Sequence, residues 1–222
     1  MGRRTWSSSA AESSSSRAAR VDGFRTRLSR QLSGPSGRFG RIVAAGMNRG
    51  NRKMNERAID LLGVDAGDHV LDIGFGGGRA VDMLLERGMR VTGVDPAGDM
   101  VRALAERYDG DPAAGRLTVR EGGVESLPIG DGEAEAALTV NTVYFWSELM
   151  GPLSEISRVL SPTGTLVIAI RDGAVMANVD CDIFTIRSPE TIAAAAESVG
   201  FDARVETPSN GKTHFVVAKK SG

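Results

Sequence analysis

The chain has 222 residues, 41% of them hydrophobic, and a formal net charge of −1. This composition predicts a globular protein with one sizeable core, and no apolar run approaches the roughly 18–20 residues that a membrane-spanning helix requires. A single cysteine, Cys181, excludes an internal disulfide and a cysteine cluster for a metal. We therefore expect a metal-free protein in the reducing cytoplasm, without a secretory signal or a membrane span.

The charge is distributed unevenly along the chain. Residues 1–53 contain twelve Lys or Arg and two Asp or Glu, whereas residues 54–222 contain fifteen Lys or Arg and twenty-six Asp or Glu. The first residues are mostly Ser, Ala and Arg, which predicts a disordered basic tail over residues 1–35. Transit peptides and nucleic-acid-binding arms share this composition, but the arginines lack interleaved aromatic residues, which favours a solvated tail or an over-long translational start.

Residues 36–222 are predicted to form one domain. It begins with two helices within residues 37–63, with a break between the helices near residues 48–51. Five short apolar runs then predict buried strands at residues 69–75, 90–95, 117–121, 135–141 and 165–171. Helical patterns separate them at residues 79–87, 100–108 and 153–160. After a helix at 189–199, two strand-like runs flank the turn-rich P-S-N-G and predict a hairpin.

This alternation predicts an α/β fold with a Rossmann-like, doubly wound, seven-stranded sheet. The sheet is mostly parallel, with an antiparallel C-terminal hairpin strand. Ligands of such sheets bind beyond the carboxyl ends of the strands.

A glycine-rich loop follows the first predicted strand in VLDIGFGGG, residues 70–78. Glycine tolerates positive φ and has no Cβ, so a ligand can lie against the backbone, and the helix that starts near Arg79 offers unpaired N–H groups to an anion. A dinucleotide fingerprint would place Arg79 at its third glycine position. The pattern present is instead D-x-G-x-G-x-G from Asp72 to Gly78, and Asp95 ends the second strand, where a carboxylate can accept hydrogen bonds from ribose hydroxyls.

The D-x-G-x-G-x-G pattern resembles motif I of the class I S-adenosylmethionine-dependent methyltransferases. EGGVESLPIGDGEAEAALTVNTVYFW (121–146), EISRVLSPTGTLVIA (155–169) and the lead-in at 47–78 extend the resemblance to the small-molecule, ubiquinone/menaquinone-biosynthesis type, methyltransferase type 11. The resemblance implies S-adenosyl-L-methionine as cofactor. Together with the loop argument it implies these cofactor-binding residues: Asp72, Gly74, Phe75, Gly76, Gly78, Asp95, Pro96, Gly123, Val124, Glu125 and Asn141.

The sequence departs from the family at several positions. Gly123 stands where the family carries the Asp that holds the adenine amino group, Ala134 and Glu135 replace Phe-Asp, and Thr163 replaces the first glycine of P-G-G. Losing one hydrogen bond costs about 0.5–1.5 kcal/mol net, so we expect cofactor binding to survive. Glu125 is near enough in sequence to compensate.

Candidate acceptor-pocket residues follow the fourth strand at its carboxyl end, namely Asn141, Tyr144 and Trp146. Aromatic faces there could border a sulfonium or wall a pocket, and plain core packing is the alternative for the two rings. The catalytic residues themselves stay unassigned. His69 precedes the first strand at the end remote from the site, which indicates a structural role, and His214 lies in the last strand, where a cross-strand role is favoured.

The expected function is S-adenosylmethionine-dependent methyl transfer to a small molecule by direct in-line displacement. An acidic body disfavours nucleic acid as a partner. Gly123, Ala134 and the lack of an evident base keep open an alternative, a catalytically inactive adenosyl-cofactor-binding regulatory module. A nicotinamide oxidoreductase is disfavoured by Arg79. Residues 39–47 could form a lid over the cofactor or a helix packed on the sheet edge.

Overall fold

The structure is a computed structural model that describes residues 52–173 and 185–221. The predicted tail, the helix and lid proposed within residues 37–47, and Cys181 lie outside the described residues. The elements within the described ranges are α1 (Arg52–Leu62), β1 (His69–Ile73), α2 (Arg79–Glu86), β2 (Arg90–Asp95), α3 (Gly98–Arg107), β3 (Leu117–Glu121), β4 (Ala134–Val140), α4 (Met150–Val159), β5 (Leu160–Arg171), α5 (Pro189–Glu197), β6 (Phe201–Glu206) and β7 (Thr213–Lys220).

The strands form one seven-stranded sheet in the order β3-β2-β1-β4-β5-β7-β6. The first five strands pair in parallel. Strand β7 runs antiparallel to both β5 and β6. The predicted fold class is confirmed: this is a Rossmann-like α/β sheet with an antiparallel C-terminal hairpin strand.

Strand β5 is longer than the sequence predicts. It begins at Leu160 rather than near Thr165, because Leu160 pairs with Ala134 before the register shifts and Thr165 pairs with Ala136. The S-P-T-G segment, which has the composition of a turn, therefore forms an irregular part of the strand. Such bulges add residues to one strand without ending the pairing.

The sheet separates two apolar cores, so it is covered on both faces. Leu71 and Ile73 of β1 belong to the core that contains α4 and α5. Val70 belongs to the core that contains α1, α2 and α3. Because neighbouring strand residues point to opposite faces, a run of buried apolar residues is what a sheet covered on both sides requires.

Helix α1 packs into the core that also contains α2 and α3. Its buried residues Met54, Ala58, Ile59 and Leu62 recur at helical spacing, and Asn55 is a buried polar residue within that stripe. The helix packs against β4, β5 and β7. This position brings its first turn to the carboxyl ends of the central strands. No helix among the described residues has the length and apolar character needed to cross a bilayer.

Candidate functional site

The glycine loop joins β1 to α2 at the carboxyl edge of the parallel strands. Its first amide, Gly74 N–H, donates to Val94 O at 2.7 Å, and Gly78 N–H donates to Phe75 O at 2.8 Å. Gly74, Gly76 and Gly78 have φ values of 70°, 52° and 75°. All three lie in the left-handed region that glycine adopts without a steric cost. The loop therefore needs glycine at alternate positions for its backbone path alone.

The three glycines differ in what lies beside them. A Cβ at Gly74 would come within 2.5 Å of Thr142 Cγ2, and one at Gly78 would come within 2.8 Å of Leu104 Cδ1. No heavy atom of the described residues lies within 4 Å of the Cβ position at Gly76. Packing inside the protein thus demands the first and third glycines, while Gly76 alone faces open space where a ligand can approach the backbone.

Asp95 connects the loop to the end of β2. Its Oδ2 accepts from Gly76 N–H at 2.8 Å and its Oδ1 accepts from Ala97 N–H at 2.9 Å. Burial raises the pKa of this carboxyl group, and the two backbone hydrogen bonds oppose that rise. Each carboxylate oxygen has a second lone pair, so the group can hold the loop and still accept from a ligand. Pro96, which follows it, is exposed.

Asp72 lies in β1 directly below the loop and is almost completely buried. Its Oδ2 makes no hydrogen bond to any described residue. Burial, and then the nearby charges of Asp95 and Asp82, raise the pKa of Asp72 to about 8. A buried acceptor without a donor is costly, so this oxygen is a candidate contact for a ligand donor.

Asn141 provides a second buried acceptor of this kind. It follows β4 and has a φ of 59°, and it is the one non-glycine residue with positive φ among the described residues. Its Oδ1 makes no hydrogen bond to a described residue, while its Nδ2 donates to Met54 Sδ at 3.7 Å. Strained backbone of this type is concentrated at functional sites.

A small cavity of about 40 Å³ lies beside the loop, between α1 and the ends of β1 and β4. Asn55, Asp72 and Arg79 are its polar lining residues. Sequence reasoning did not select Asn55. The signal that could have found it is a polar residue within the apolar stripe of an amphipathic helix.

Arg107 of α3 is another functional candidate that the sequence did not reveal. Its Nη2 donates to Gly77 O at 2.9 Å, and its Nη1 lies 3.2 Å from Asp82 Oδ2. The guanidinium thereby ties the glycine loop and α2 to α3. Nothing in the local sequence around Arg107 indicates a contact with residues thirty positions earlier.

The segment after β3 holds the predicted adenine contacts. Gly122 N–H donates to Asp95 O, which places the segment beside the end of β2. A Cβ at Gly123 would lie 2.8 Å from Glu125 Oε2. The carboxylate of Glu125 therefore occupies the space into which a side chain at Gly123 would project. Val124 is buried in the core.

The aromatic candidates lie within the core. Tyr144 is 2% exposed and Trp146 is 4% exposed, and both pack in the cluster with α4 and α5. The Tyr144 hydroxyl accepts from Arg171 N–H at 2.6 Å and donates to Arg171 O at 3.2 Å. Their surroundings are those of core residues, and an acceptor-lining role for either ring stays a prediction. Phe75 is also buried and packs against Gly93 of β2.

The two histidines make structural hydrogen bonds. His69 is buried in β1, with its ring nitrogens 2.8 Å from Thr92 Oγ1 and 3.0 Å from Glu133 O. His214 lies 2.8 Å from Thr207 Oγ1 across the hairpin and 3.1 Å from Asp172 Oδ2. In the described part of the chain, no three His, Cys, Asp or Glu side chains group together as a metal site would require.

The methyltransferase domain family model matches residues 71–168, which run from β1 into β5 and include the glycine loop, Asp95 and Asn141. This match supports the predicted class I S-adenosylmethionine-dependent methyltransferase family for the part of the chain that carries the glycine loop. S-adenosyl-L-methionine is the cofactor of this family, as the sequence predicted.

Three curated methyltransferases are similar to this chain. An uncharacterized methyltransferase of Bacillus subtilis, YdaC, is 28% identical over 54% of this chain and 66% of its own length. An uncharacterized methyltransferase of Mycobacterium bovis, Mb3374, is 34% identical over 58% of this chain and 49% of its own length. The erythromycin 3''-O-methyltransferase of Saccharopolyspora erythraea is 29% identical over 56% of this chain and 41% of its own length. The alignments thus cover no more than 66% of these relatives.

Solved structures share the fold. A SAM-dependent methyltransferase from Aquifex aeolicus has a TM-score of 0.67 and 20% identity, covering 82% of this chain and 99% of the other. The [4+2]-cyclase SpnF has a TM-score of 0.68 and 17% identity, covering 77% of this chain and 80% of the other. The fold therefore occurs in proteins named for different reactions, and function has to be argued from the site.

The residues at the loop fit the family cofactor chemically. The two buried acceptors, Asp72 Oδ2 and Asn141 Oδ1, lack donors among the described residues. The α-ammonium group of this cofactor would supply such donors. The open side of Gly76 leaves room for a ligand against the backbone. Asp95 lies at the strand end where a ribose would be bound.

Proposed function

We propose that this chain transfers a methyl group from S-adenosyl-L-methionine to a small-molecule acceptor. The observation that carries the proposal is that two buried oxygens, Asp72 Oδ2 and Asn141 Oδ1, have no hydrogen-bond donor among the described residues. The glycine loop that follows Asp72 is open at Gly76. One relative, the erythromycin 3''-O-methyltransferase, is named for a small-molecule acceptor, which supports this class of substrate.

The residues around the loop divide the work of holding the cofactor. Asp72 and Asn141 accept from its ammonium group, and Asp95 accepts from its ribose hydroxyls while keeping its bond to Gly76. The N–H groups at the start of α2 face its carboxylate. Glu125 takes the adenine amino group in place of the side chain that Gly123 lacks, with the Val124 backbone beside it.

The bound cofactor supplies a methyl group on a sulfonium, which is transferred by direct in-line displacement. The contribution of this chain is then alignment and exclusion of water. Holding two reactants in a near-attack geometry can lower a barrier by about 7–11 kcal/mol. A rigid loop tied at Val94, Asp95 and Arg107 is suited to this task, because misplacement by even about 1 Å is costly.

Isothermal titration with S-adenosylhomocysteine tests the site. We expect binding by the wild type, weakened binding by Asp72→Asn and Gly76→Val, and unchanged binding by Asp202→Asn, an exposed acid on β6 that serves as the control. Absence of binding at about 1 mM, which corresponds to a free energy of only about −4.1 kcal/mol, would contradict the proposal.

Turnover separates the enzyme from the alternative of an inactive cofactor-binding module. The measurement is release of S-adenosylhomocysteine from S-adenosylmethionine with a panel of small O-, N- and C-nucleophiles. We expect release that depends on the acceptor and is lost in Gly76→Val. We also propose a cytoplasmic location, which rests on the composition and can be checked by fractionation.

A further inference from the structure

A second, larger cavity lies at the same edge of the sheet as the glycine loop. Its volume is about 770 Å³, within the range of small-molecule pockets. Helix α1 forms one wall, the end of β5 a second, and the turn between β6 and β7 a third. Its lining residues are Lys53, Met54, Arg57, Arg171, Glu206, Thr207, Pro208, Ser209, Asn210, Lys212, Thr213 and Phe215.

The charge of this cavity is predominantly positive. Four of its lining residues are basic, namely Lys53, Arg57, Arg171 and Lys212, and Glu206 is its one acidic lining residue among the described positions. Glu206 is already bound by two guanidinium groups, Arg57 at 2.7 Å and Arg204 at 3.0 Å.

The two lysines contribute charge that the described residues do not neutralise. No carboxylate of a described residue lies within ion-pair distance of the Lys53 or Lys212 ammonium. Lys53 projects from α1 and Lys212 from the hairpin turn, so they enter the cavity from different walls. Clefts lined by one sign of charge concentrate ligands of the opposite sign.

The remaining lining supplies apolar surface and small polar groups. Met54 and Phe215 are buried core residues that also face the cavity, and Pro208 adds apolar surface on the hairpin. Thr207, Ser209 and Thr213 offer hydroxyl groups. A ligand with one anionic group and an apolar body is complementary to this combination.

The cavity adjoins the cofactor site through α1. Met54 lines the large cavity and receives the hydrogen bond from Asn141, while its neighbour Asn55 lines the small cavity beside Asp72. Val140, which precedes Asn141, pairs with Ala169 of β5, two residues before Arg171. The two cavities therefore lie beside the first turn of the same helix, an arrangement compatible with neighbouring donor and acceptor sites.

We propose that the large cavity is the acceptor site and that it binds an anionic acceptor, through a carboxylate or phosphate group held by Lys53 and Lys212. This inference rests on the proposed methyl transfer. Residues 1–51 contain ten Lys or Arg and two Asp or Glu, so the preceding segment of this chain has the same sign of charge as the cavity and is not complementary to it.

The test is a titration of the full chain followed by ¹H–¹⁵N correlation spectra, with S-adenosylhomocysteine present. The probes are inorganic phosphate, benzoate and its neutral isostere benzamide. We expect phosphate, benzoate or both to shift the amides of residues 53–57 and 207–213, and benzamide at the same concentration to leave them in place. If only one of the two anions shifts them, that anion identifies the acidic group as phosphate or carboxylate.

Charge-neutralising variants then locate the contact. Lys53→Gln with Lys212→Gln should raise the dissociation constant of the anion about twofold to thirtyfold, since each of the two exposed ion pairs contributes about 0.2–1 kcal/mol. Lys219→Gln, an exposed lysine near the opposite end of β7, is the matched control and should leave it unchanged.

Three results would overturn the inference: benzamide shifts as large as those caused by the anions, equal anion binding by the double variant, or no shift at about 50 mM of either anion, well above a millimolar dissociation constant. A separate titration with S-adenosylhomocysteine distinguishes the two proposals. If that ligand binds and the anions do not, only the acceptor class is wrong. If it does not bind, the proposed function itself fails.

Discussion

The carboxyl group of Asp72 lies in β1 below the glycine loop, and burial raises its pKa from 3.8 to about 8. The protonated form is therefore favoured by folding. Its stabilising contribution is complete below about pH 4 and is lost as the pH rises through about 8. Asp72→Asn keeps the site neutral at every pH. We expect wild type and variant to unfold with similar free energies near pH 4.

Above that pH the two proteins should diverge, with Asp72→Asn becoming the more stable by up to about 1.4 kcal/mol per pH unit between about pH 5 and 8. Urea unfolding of both proteins across this range, without cofactor, measures the difference. Because other groups titrate equally in both, their contributions cancel. Parallel stability curves would show that Asp72 is ionised in the folded protein.

The same group predicts a proton linked to cofactor binding. At pH 7 a carboxyl group whose pKa is about 8 is mostly protonated, and an ammonium group bound to it favours ionisation. Binding of S-adenosylhomocysteine should then release close to one proton. Calorimetric titrations in two buffers of different ionisation enthalpy measure this number. Asp72→Asn should release none, and an equal release by both would assign the proton elsewhere.

Gly74 and Thr142 predict a compensating pair of substitutions. Gly74→Ala places a Cβ 2.5 Å from Thr142 Cγ2 and also strains a φ of 70°, so it should destabilise the protein. Thr142→Ser removes that methyl group, and the double variant should recover part of the loss, leaving the φ cost of roughly 1–2 kcal/mol. Thermal or urea unfolding of the four proteins in the cycle measures the coupling. Strict additivity would contradict the packing account.

Arg158 joins α4 to the segment that follows the predicted adenine contacts. Its guanidinium donates to Ile129 O at 3.0 Å and Leu127 O at 3.2 Å, while Glu155, its partner on the same helix, accepts from Leu127 N–H at 2.7 Å. Arg158→Met should cost about 1–3 kcal/mol of unfolding free energy, because these carbonyls lose charged donors.

Arg158→Lys is the informative comparison for that prediction. Lysine keeps the positive charge but cannot reproduce the planar fork of donors, so it should recover only part of the stability. Urea unfolding of the wild type and both variants provides the measurement. If Arg158→Lys equals the wild type, the charge alone is responsible and the geometry of the fork is irrelevant.

The sequence predicted the elements where local pattern and final environment agree. Strands β1 and β2 are short apolar runs because the sheet is covered on both faces, and periodicity is sufficient to detect them. The start of β5 was missed because S-P-T-G has turn composition, and only pairing of Leu160 with Ala134 keeps it in the sheet. Such pairing depends on a distant strand and leaves no local signal.

The same distinction applies to the candidate site. The loop from Asp72 to Gly78 could be predicted because one motif sets both the turn and the helix start. The contacts of Arg107 with Gly77 O and of Met54 with Asn141 connect residues far apart in the chain. The sequence did not distinguish between the glycines: positive φ applies to all three, but neighbouring side chains exclude a Cβ only at Gly74 and Gly78, and no described atom does so at Gly76.

The sheet separates one core, whose residues Met54, Phe75 and Phe215 line the two cavities, from a second core, whose residues line neither of them. Helix α1 belongs to the first core and lines both cavities through Met54 and Asn55. Helix α5 belongs to the second. A bound ligand slows amide exchange that requires local opening of its own site. It also slows exchange through global unfolding, in proportion to its free energy of binding.

Hydrogen exchange with and without S-adenosylhomocysteine should therefore distinguish the two faces. At about a hundred times the dissociation constant the ligand contributes about 2.7 kcal/mol, so amides of α1 and the glycine loop that exchange by local opening should slow by up to about a hundredfold. Amides of α5 that exchange by fraying should not change, because their opening leaves the site intact. Equal slowing on both faces would mean that the chain opens only as a unit, and unchanged exchange in α1 would mean that this helix does not take part in binding.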